Sequence, residues 1–182
     1  SAILSEAKEG GQRVSRMARG ESTKRSTIDD ETVMAALRKR GVERLAETED
    51  EELWLIADGS ELRKPHARKL PDMMQVKALD GSLVPGYRTM NVLGITPGRR
   101  GILYHRLFSS KEEEFLSESL EIQKALKTVS QAAQELKQSK SVTWITDTGF
   151  DDVAVWRTIW EQDEHVVCRL KHTERLIEYQ NE

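Results

Sequence analysis

The sequence has little of several residue types, and each shortage excludes a class of protein. It contains 1 cysteine, Cys168, which excludes an internal disulfide, argues against a cysteine zinc site and favours a reducing compartment. With 4 prolines, 11 glycines and 37% hydrophobic residues, the composition is not that of a disordered or fibrous chain. Apolar runs are only a few residues long, so no segment is predicted to span a membrane. The first residues carry charges where a signal peptide is apolar, so we expect a cytoplasmic protein.

The net charge of −3 hides an uneven distribution of charged residues. Residues 62–110 contain nine bases against two acids, a local charge of +7. Residues 29–52 contain nine acids against four bases, a local charge of −5. A basic middle beside an acidic flank predicts a surface for a polyanion, and an ordinary charged surface is the alternative.

Hydrophobic spacing and turn residues predict two parts, an N-terminal arm with a helical segment over 1–49 and a main domain over 50–182. The helical segment is expected to begin near Thr27 and to bury Val33, Leu37 and Leu45. The first half of the main domain is predicted to contain a strand over 53–58, a loop over 61–86, and strands over 87–96 and 101–108. A helix capped at Ser110 and ending near 139 follows, and then a strand over 142–147. The last predicted elements are a helix from about 151, with Val153, Trp156, Ile159 and Trp160 buried, and a strand over 165–171.

This order of elements predicts an α/β fold of the ribonuclease H-like kind, with a mixed sheet flanked by helices. In that fold the first strand lies beside the strand that follows the first long helix. Asp58 and Asp147 close these two predicted strands, so their carboxylates are expected to be neighbours in space. Two adjacent carboxylates repel each other, and a divalent cation such as Mg²⁺ or Mn²⁺ relieves the repulsion and assists displacement at phosphorus.

Three sequence blocks resemble one family of enzymes. They are W-L-I-A-D-G-S at 54–60, G-Y-R-T-M-N-V-L-G-I-T at 86–96 and I-T-D-T-G-F-D-D at 145–152. Over roughly residues 50–172 the chain resembles the DDE transposases of bacterial insertion sequences. The likeness is to the cut-and-paste group, whose ribonuclease H-like catalytic domain is interrupted by a large β-rich insertion.

The resemblance implies a function and its residues. Asp58 and Asp147 would be the first two acids of a triad that binds Mg²⁺ or Mn²⁺, and Arg169 and Lys171 would contact transposon-end DNA. It implies metal-dependent cleavage at transposon ends, strand transfer into target DNA and a homodimer in the synaptic complex, in the bacterial cytoplasm with the nucleoid. Independently, Arg63 and Lys64 begin a basic run that would grip DNA phosphates, with a solvated loop as the alternative.

One part of the family pattern is missing. The third acid, a glutamate on a later helix, has no counterpart in this sequence, and the chain stops about where the inserted segment is expected. Glu182 lies 35 residues after Asp147, a spacing seen in short-spacer relatives, but it is the last residue. We therefore expect a fragment of a transposase that lacks the third-acid helix.

Two other functions remain as alternatives. A transposase-derived module without catalysis would keep the basic surface for DNA binding or dimerisation. A phosphohydrolase would use Asp58 as an aspartyl nucleophile with Asp147 and Asp151 near Mg²⁺. The second alternative is weakened because Ser60 stands where such sites have a second aspartate, and because an antiparallel hairpin suits a mostly parallel fold badly.

Overall fold

The structure is a computed structural model that describes residues 30–174. The chain divides into two units, residues 1–33 and 34–182, and the fold below is that of the second. The helices are α1 (Asp30–Ala46), α2 (Glu118–Ala132) and α3 (Val153–Trp160), and the strands are β1 (Glu52–Arg63), β2 (Met74–Lys77), β3 (Leu83–Ile95), β4 (Arg100–Phe108), β5 (Ser141–Thr146) and β6 (His165–Cys168).

The six strands of the described residues form one mixed sheet. Its order is β2-β3-β1-β5-β6, with β4 also paired to β3. The pairs β1–β3 and β3–β4 are antiparallel, whereas β1–β5 and β5–β6 are parallel. Three antiparallel strands followed by two parallel strands that alternate with helices are the ribonuclease H-like arrangement. The fold class predicted from the sequence is therefore confirmed, and β1 lies beside β5 as expected.

The two faces of the sheet differ in what covers them. On the core face, alternate residues of β1 (Leu53, Leu55 and Ala57) are almost completely buried under α2 and α3. On the opposite side, which we call the open face, the exposed fractions of Ile102 and Val167 are 52% and 60%. Within residues 34–174 the hydrophobic core therefore lies on one side of the sheet only. Its largest fully buried side chains are Trp144, Leu45, Leu53, Leu55, Leu103, Leu126 and Ile159.

Helix α1 contacts the sheet at a pair of glycines. A Cβ placed on Gly101 would lie 2.7 Å from the Cα of Gly41, so the helix and β4 touch backbone to backbone. Nearby, the Arg38 guanidinium donates a hydrogen bond to the carbonyl of Leu103, 3.0 Å away. Leu45, further along the helix, is fully buried in the core. The absence of a side chain at both glycines is what allows this close approach.

We expect Gly101→Ala to lower the free energy of unfolding by about 1–3 kcal/mol, because the added methyl group meets backbone that has no room to move. Gly98→Ala, in the same hairpin, is the matched control, since its Cβ would meet only side-chain atoms at ordinary contact distance, the Thr48 methyl at 3.5 Å and the Asp50 Oδ2 at 3.9 Å. Urea unfolding of both variants measures the difference. Equal stability of the two variants would contradict the close packing of α1 on β4.

The region 61–86, predicted to be a loop, contains three strand segments, residues 61–63, 74–77 and 83–86, joined by turns and irregular chain. β1 continues past Asp58 to Arg63 because residues 58–63 pair with residues 86–91 of β3, and β2 extends the other edge of β3. The prolines and bases of this region indicated a loop, but Pro85 lies beyond the end of β1, where its missing N–H costs no pairing with that strand. Asp58 therefore lies inside a strand and does not close it.

Helix ends were predicted less well than the faces of α2. The predicted cap at Ser110 is wrong, because α2 begins at Glu118, where the Ser117 hydroxyl accepts the N–H of Leu120. The Glu112 carboxylate accepts the backbone N–H of Ser109 in a turn that precedes the helix. The predicted apolar stripe is buried at Ile122, Leu126, Val129, Ala133 and Leu136. The predicted helix end near residue 139 is wrong, because α2 ends at Ala132 and a separate 3₁₀ turn covers Leu136–Gln138.

Several predictions about the other helices are wrong in detail. Four side chains predicted to be buried are exposed. The exposed fraction is 44% for Val33 and Leu37 of α1 and for Val153 of α3, and 55% for Trp160 of α3. The expected start of α1 at Thr27 lies outside the described residues. In α3 the side chains that face the core are those of Val155, Thr158 and Ile159, with Trp156 half-buried.

Candidate active site

Asp58 and Asp147 lie at adjacent positions of two parallel strands. The last aligned pair of β1 and β5 is Ala57 with Thr146, and the two aspartates come directly after it. Asp147 has an extended backbone (φ −92°, ψ −172°), so it continues the alternation of β5. Because neighbouring strands are about 4.8 Å apart, the two carboxylates are neighbours on the open face. Both side chains are exposed to solvent.

Each carboxylate uses one oxygen in a local hydrogen bond. The Oδ2 of Asp58 accepts the Ser60 hydroxyl at 2.7 Å, and the Oδ1 of Asp147 accepts the backbone N–H of Gly149 at 2.9 Å. The other oxygen of each carboxylate has no hydrogen-bond partner among the described residues. Two free carboxylate oxygens are the donor set that Mg²⁺ takes from proteins, which usually supply one or two carboxylates beside water and phosphate. The residues therefore fit a hard divalent cation.

No third ligand joins this pair in the part of the chain that the structure describes. Residues 30–174 contain no group of three His, Cys, Asp or Glu side chains placed to hold a metal ion. Glu182, the last acid of the sequence, lies outside the described residues. Asp151, considered as a metal ligand for a phosphohydrolase, accepts the backbone N–H groups of Lys171 and His172 on its Oδ2. That carboxylate is occupied in fixing the backbone after β6.

Ser60 holds the carboxylate of Asp58, and we expect Ser60→Ala to weaken Mn²⁺ binding about tenfold. Loss of a hydrogen bond that orients a metal ligand commonly costs 10- to 100-fold in affinity. The chain provides a matched control, because Ser82 donates to Asp80 at 2.7 Å in a second Asp-Gly-Ser sequence. There the Ser82 hydroxyl, with its backbone N–H, holds the pKa of Asp80 below its usual value. Titration calorimetry should find Ser82→Ala unchanged, and an unchanged Ser60→Ala would contradict the role of Ser60.

Arg169 lies next to Asp147, whereas Lys171 is placed differently from the prediction. β6 ends at Cys168, and the N–H of Arg169 donates to the carbonyl of Thr146 at 3.2 Å, which extends the pairing with β5 by one residue. The predicted strand continued to Lys171, so that both bases would share a face. The backbone N–H of Lys171 instead donates to the Asp151 carboxylate, and Lys171 lies beyond the pairing of β6 with β5. The shared-face argument is therefore wrong, and both DNA contacts stay predictions.

Arg63 and Lys64 lie at the far end of β1. The Arg63 Nε donates to the carbonyl of Lys77 at 2.8 Å, and the N–H of Lys64 donates to the carbonyl of Pro85. Arg63 lines a cavity of about 550 Å³ that also reaches Asp147, but Lys64 does not line it. Of these two predicted DNA contacts, Arg63 is the one that shares a cavity with a candidate metal ligand.

Part of the basic middle of the sequence is neutralised by ion pairs. Arg88 pairs with Glu118 and Arg99 with Glu47. Arg106 contacts both Glu112 and Glu121 at 3.1 Å on the core face. Burial alone would lower the pKa of Arg106, but the two glutamates outweigh it and raise that pKa. Burial also raises the pKa of the neighbouring Tyr104 phenol. The surface available to a polyanion is therefore smaller than the local charge of the sequence indicated.

Three polar residues near the aspartates were not found by sequence reasoning. Ser60, Asn91 and His105 lie on the open face beside Asp58, on β1, β3 and β4. The alternation of side chains along each strand could have placed these residues on the exposed face. The sequence does not reveal which positions of β1, β3 and β4 are paired, so it could not place them near Asp58.

Comparison with solved structures finds transposases. The catalytic domain of Mos1 mariner transposase is similar with a TM-score of 0.40 and 14% identity, over 81% of this chain and 65% of that chain. A structure of that catalytic domain with raltegravir and Mn gives a TM-score of 0.39 and 15% identity, over 81% and 66%. A piggyBac transposase synaptic complex with hairpin DNA is similar with a TM-score of 0.45 and 11% identity, over 81% of this chain and 32% of that chain.

The chain thus spans less than two thirds of the length of these three proteins. No family model matches the sequence, and no curated protein matches it. Among the described residues, no helix has the length and apolar character needed to cross a bilayer.

Proposed function

We propose that this chain is part of the catalytic domain of a DDE transposase and that Asp58 and Asp147 bind the divalent cation. The observation that carries the proposal is the register of β1 and β5, which makes the two aspartates neighbours on an exposed sheet face. The fit of the strand order to the ribonuclease H-like fold supports it, as do the three sequence blocks quoted above.

In the proposed site the carboxylates of Asp58 and Asp147 would hold Mg²⁺ or Mn²⁺. The cation would supply Lewis acidity, which lowers the pKa of an attacking water or 3′-hydroxyl and stabilises the leaving oxygen at phosphorus. Ser60 and the N–H of Gly149 would orient the carboxylates. Arg169, one strand beyond Asp147, would hold a DNA phosphate beside the carboxylate pair.

The finer parts of the proposal follow from the resemblance. The substrates would be transposon ends and target DNA, the protein would act as a homodimer in a synaptic complex, and its place would be the bacterial cytoplasm. Arg63 and Lys171 would add phosphate contacts at the two sides of the site, and Lys64 would add one beside Arg63. The third acid would be supplied from outside residues 30–174, since no described acid joins the pair.

A DNA-binding module without catalysis is the second candidate function. The observation that favours it is the same pair of acids, since two carboxylates without a third hold a cation weakly while Arg169 beside them stays available to phosphate. The phosphohydrolase alternative is weaker. The position of its second aspartate is taken by Ser60, whose hydroxyl donates a hydrogen bond to Asp58. The carboxylate of Asp151, its further metal ligand, accepts a hydrogen bond from the backbone after β6.

Titration calorimetry with Mn²⁺ distinguishes the two candidates. We expect binding in the micromolar to millimolar range that Asp58→Asn abolishes, whereas Asp80→Asn, in the second Asp-Gly-Ser sequence, leaves it unchanged. If Mn²⁺ releases no heat while DNA binds with a steep salt dependence, the protein is a binding module and the metal site is refuted.

A further inference from the structure

A row of polar residues crosses the open face on the side of Asp58 that lies away from Asp147. Asn91 of β3 is the direct partner of Asp58, and His105 of β4 is the direct partner of Asn91. Directly opposed residues of antiparallel strands present their side chains on the same face. With about 4.8 Å between strands, Asn91 lies roughly 5 Å and His105 roughly 10 Å from the position of Asp58.

The same row continues on the other side of Asp58. Asp147 is the next position on β5, and Arg169 follows one residue beyond the pairing of β5 with β6. From His105 to Arg169 the row crosses four gaps between strands, or about 19 Å. One DNA strand covers that length with about six nucleotides at 3.4 Å each. The carboxylate pair therefore lies inside a track of polar groups, with Arg169 at one end and His105 at the other.

Hydrogen bonds fix the orientation of the two added residues. The Nδ1–H of His105 donates to the Oδ1 of Asn91 at 2.7 Å. The Nδ2 of Asn91 donates to the Thr89 hydroxyl at 3.3 Å, and that hydroxyl donates to the carbonyl of Ser60 at 3.2 Å. An amide NH₂ has two donors, so one N–H of Asn91 remains after the bond to Thr89. The Nε2 of His105, whose side chain is exposed, faces no partner among the described residues, and in the imidazolium form, where both ring nitrogens carry a proton, it can donate to a phosphate oxygen while Nδ1–H keeps its bond to Asn91.

We infer that Asn91 and His105 bind the DNA backbone on the side of the carboxylate pair opposite Arg169. The inference rests on the proposed function, because it takes DNA as the ligand. Without a cation, Asp58 and Asp147 repel phosphate, so the strand must be held by groups on both sides of them. The second amide N–H of Asn91 and the Nε2–H of the His105 imidazolium are the donors that provide those contacts. Their mutual hydrogen bond sets the side chains before the DNA arrives and lowers the entropy lost on binding.

The test is the affinity of Asn91→Ala and His105→Ala for a short labelled DNA duplex, measured by fluorescence anisotropy. We expect each substitution to weaken binding about five- to tenfold, the range for loss of one or two hydrogen bonds. Mn²⁺ affinity should stay within twofold of wild type. Leu107→Ala is the matched control, since Leu107 lies on the same face of β4, two residues from His105, and is 42% exposed. The control should bind DNA as wild type does.

A second measurement, the NMR signal of His105 in the wild-type protein, does not depend on how Asn91→Ala and His105→Ala fold. In the wild-type protein, the ring Cε1–H resonance of His105 should shift when the DNA duplex is added and broaden when Mn²⁺ is added, and Asp58→Asn should remove the broadening. The inference is overturned if the His105 resonance does not move and both variants keep full DNA affinity. In that case Arg169→Ala should still weaken DNA binding, which shows that the assay detects the loss of a phosphate contact. If the wild-type protein binds neither DNA nor Mn²⁺, the proposed function fails instead.

Discussion

Replacing Asp147 with asparagine is expected to lower the rate of metal-dependent DNA cleavage at least about a hundredfold, as loss of one group that stabilises transition-state charge commonly does. The substitution keeps the size of the side chain and an oxygen that still accepts the N–H of Gly149. It removes the negative charge that, with Asp58, attracts the cation. Nicking of a supercoiled plasmid in Mn²⁺, by the protein that carries this chain, measures the effect.

DNA binding by Asp147→Asn should stay within about threefold of wild type or become tighter, because loss of an acid removes repulsion and no phosphate contact. Asp80→Asn is the control, since Asp80 is an exposed turn residue that also accepts a serine hydroxyl. Wild-type nicking by Asp147→Asn would exclude the proposed role of Asp147. Equal loss of nicking in Asp80→Asn would point to a general effect of charge instead of a metal site.

Replacing Glu164 with glutamine is expected to lower the free energy of unfolding by about 3–5 kcal/mol, the usual cost of removing one partner of a buried ion pair. The carboxylate of Glu164 is fully buried and contacts the Lys137 ammonium at 2.6 Å. Its Oε2 also accepts the Ser130 hydroxyl at 2.7 Å and the Trp144 indole N–H at 2.6 Å. One side chain thus joins the end of α2, the segment after it and β5.

The size of this effect distinguishes the buried ion pair from a surface one. Glu161→Gln, in the same turn but exposed, should change stability by less than about 0.5 kcal/mol. The double variant Glu164→Gln/Lys137→Met should recover part of the loss, because it leaves no uncompensated ammonium. Urea unfolding followed by tryptophan fluorescence gives all three values. If Glu164→Gln is as stable as Glu161→Gln, the pair contributes nothing to the fold.

Glu164 also bears on the candidate site. Trp144 precedes Asp147 by three residues on β5, and Glu164 directly precedes β6, which leads to Arg169. The network therefore holds together the two strands that lead to the proposed metal ligand Asp147 and the proposed phosphate contact Arg169. A loss of 3–5 kcal/mol is a large part of the 5–15 kcal/mol that stabilises a typical domain, so activity of Glu164→Gln should be compared well below its melting temperature.

The sequence predicted the parts of the fold that depend on local pattern. The stripe from Ile122 to Leu136 repeats at helical spacing, and it is buried as expected. The run before Asp147 is a strand because short apolar segments bounded by turns favour a buried strand. The neighbourhood of Asp58 and Asp147 followed from the order of elements, since that order places β1 beside β5.

The rest depended on contacts between distant residues. Residues 61–86 have the prolines and bases of a loop, yet strand pairing takes in residues 61–63, 74–77 and 83–86, because tertiary contacts override weak local preference. Lys171 alternates correctly in sequence but lies beyond the pairing of β6 with β5, and its backbone N–H donates to the Asp151 carboxylate. Asn91 and His105 escaped notice because their nearness to Asp58 is a matter of register, which hydrophobic pattern alone does not specify.

The continuation of β1 beyond Asp58 gives the two carboxylates unequal freedom. Asp58 is fixed by paired backbone on both sides of it, whereas Asp147 is the first residue after β5 and caps a single short turn. Ions of different radius need different separations of their ligands, about 2.1 Å to oxygen for Mg²⁺ and about 2.4 Å for Ca²⁺. In the proposed site the turn from Asp147 to Phe150 would absorb that difference, so selectivity among divalent ions would reside in the stiffness of this turn and hardly at all in β1.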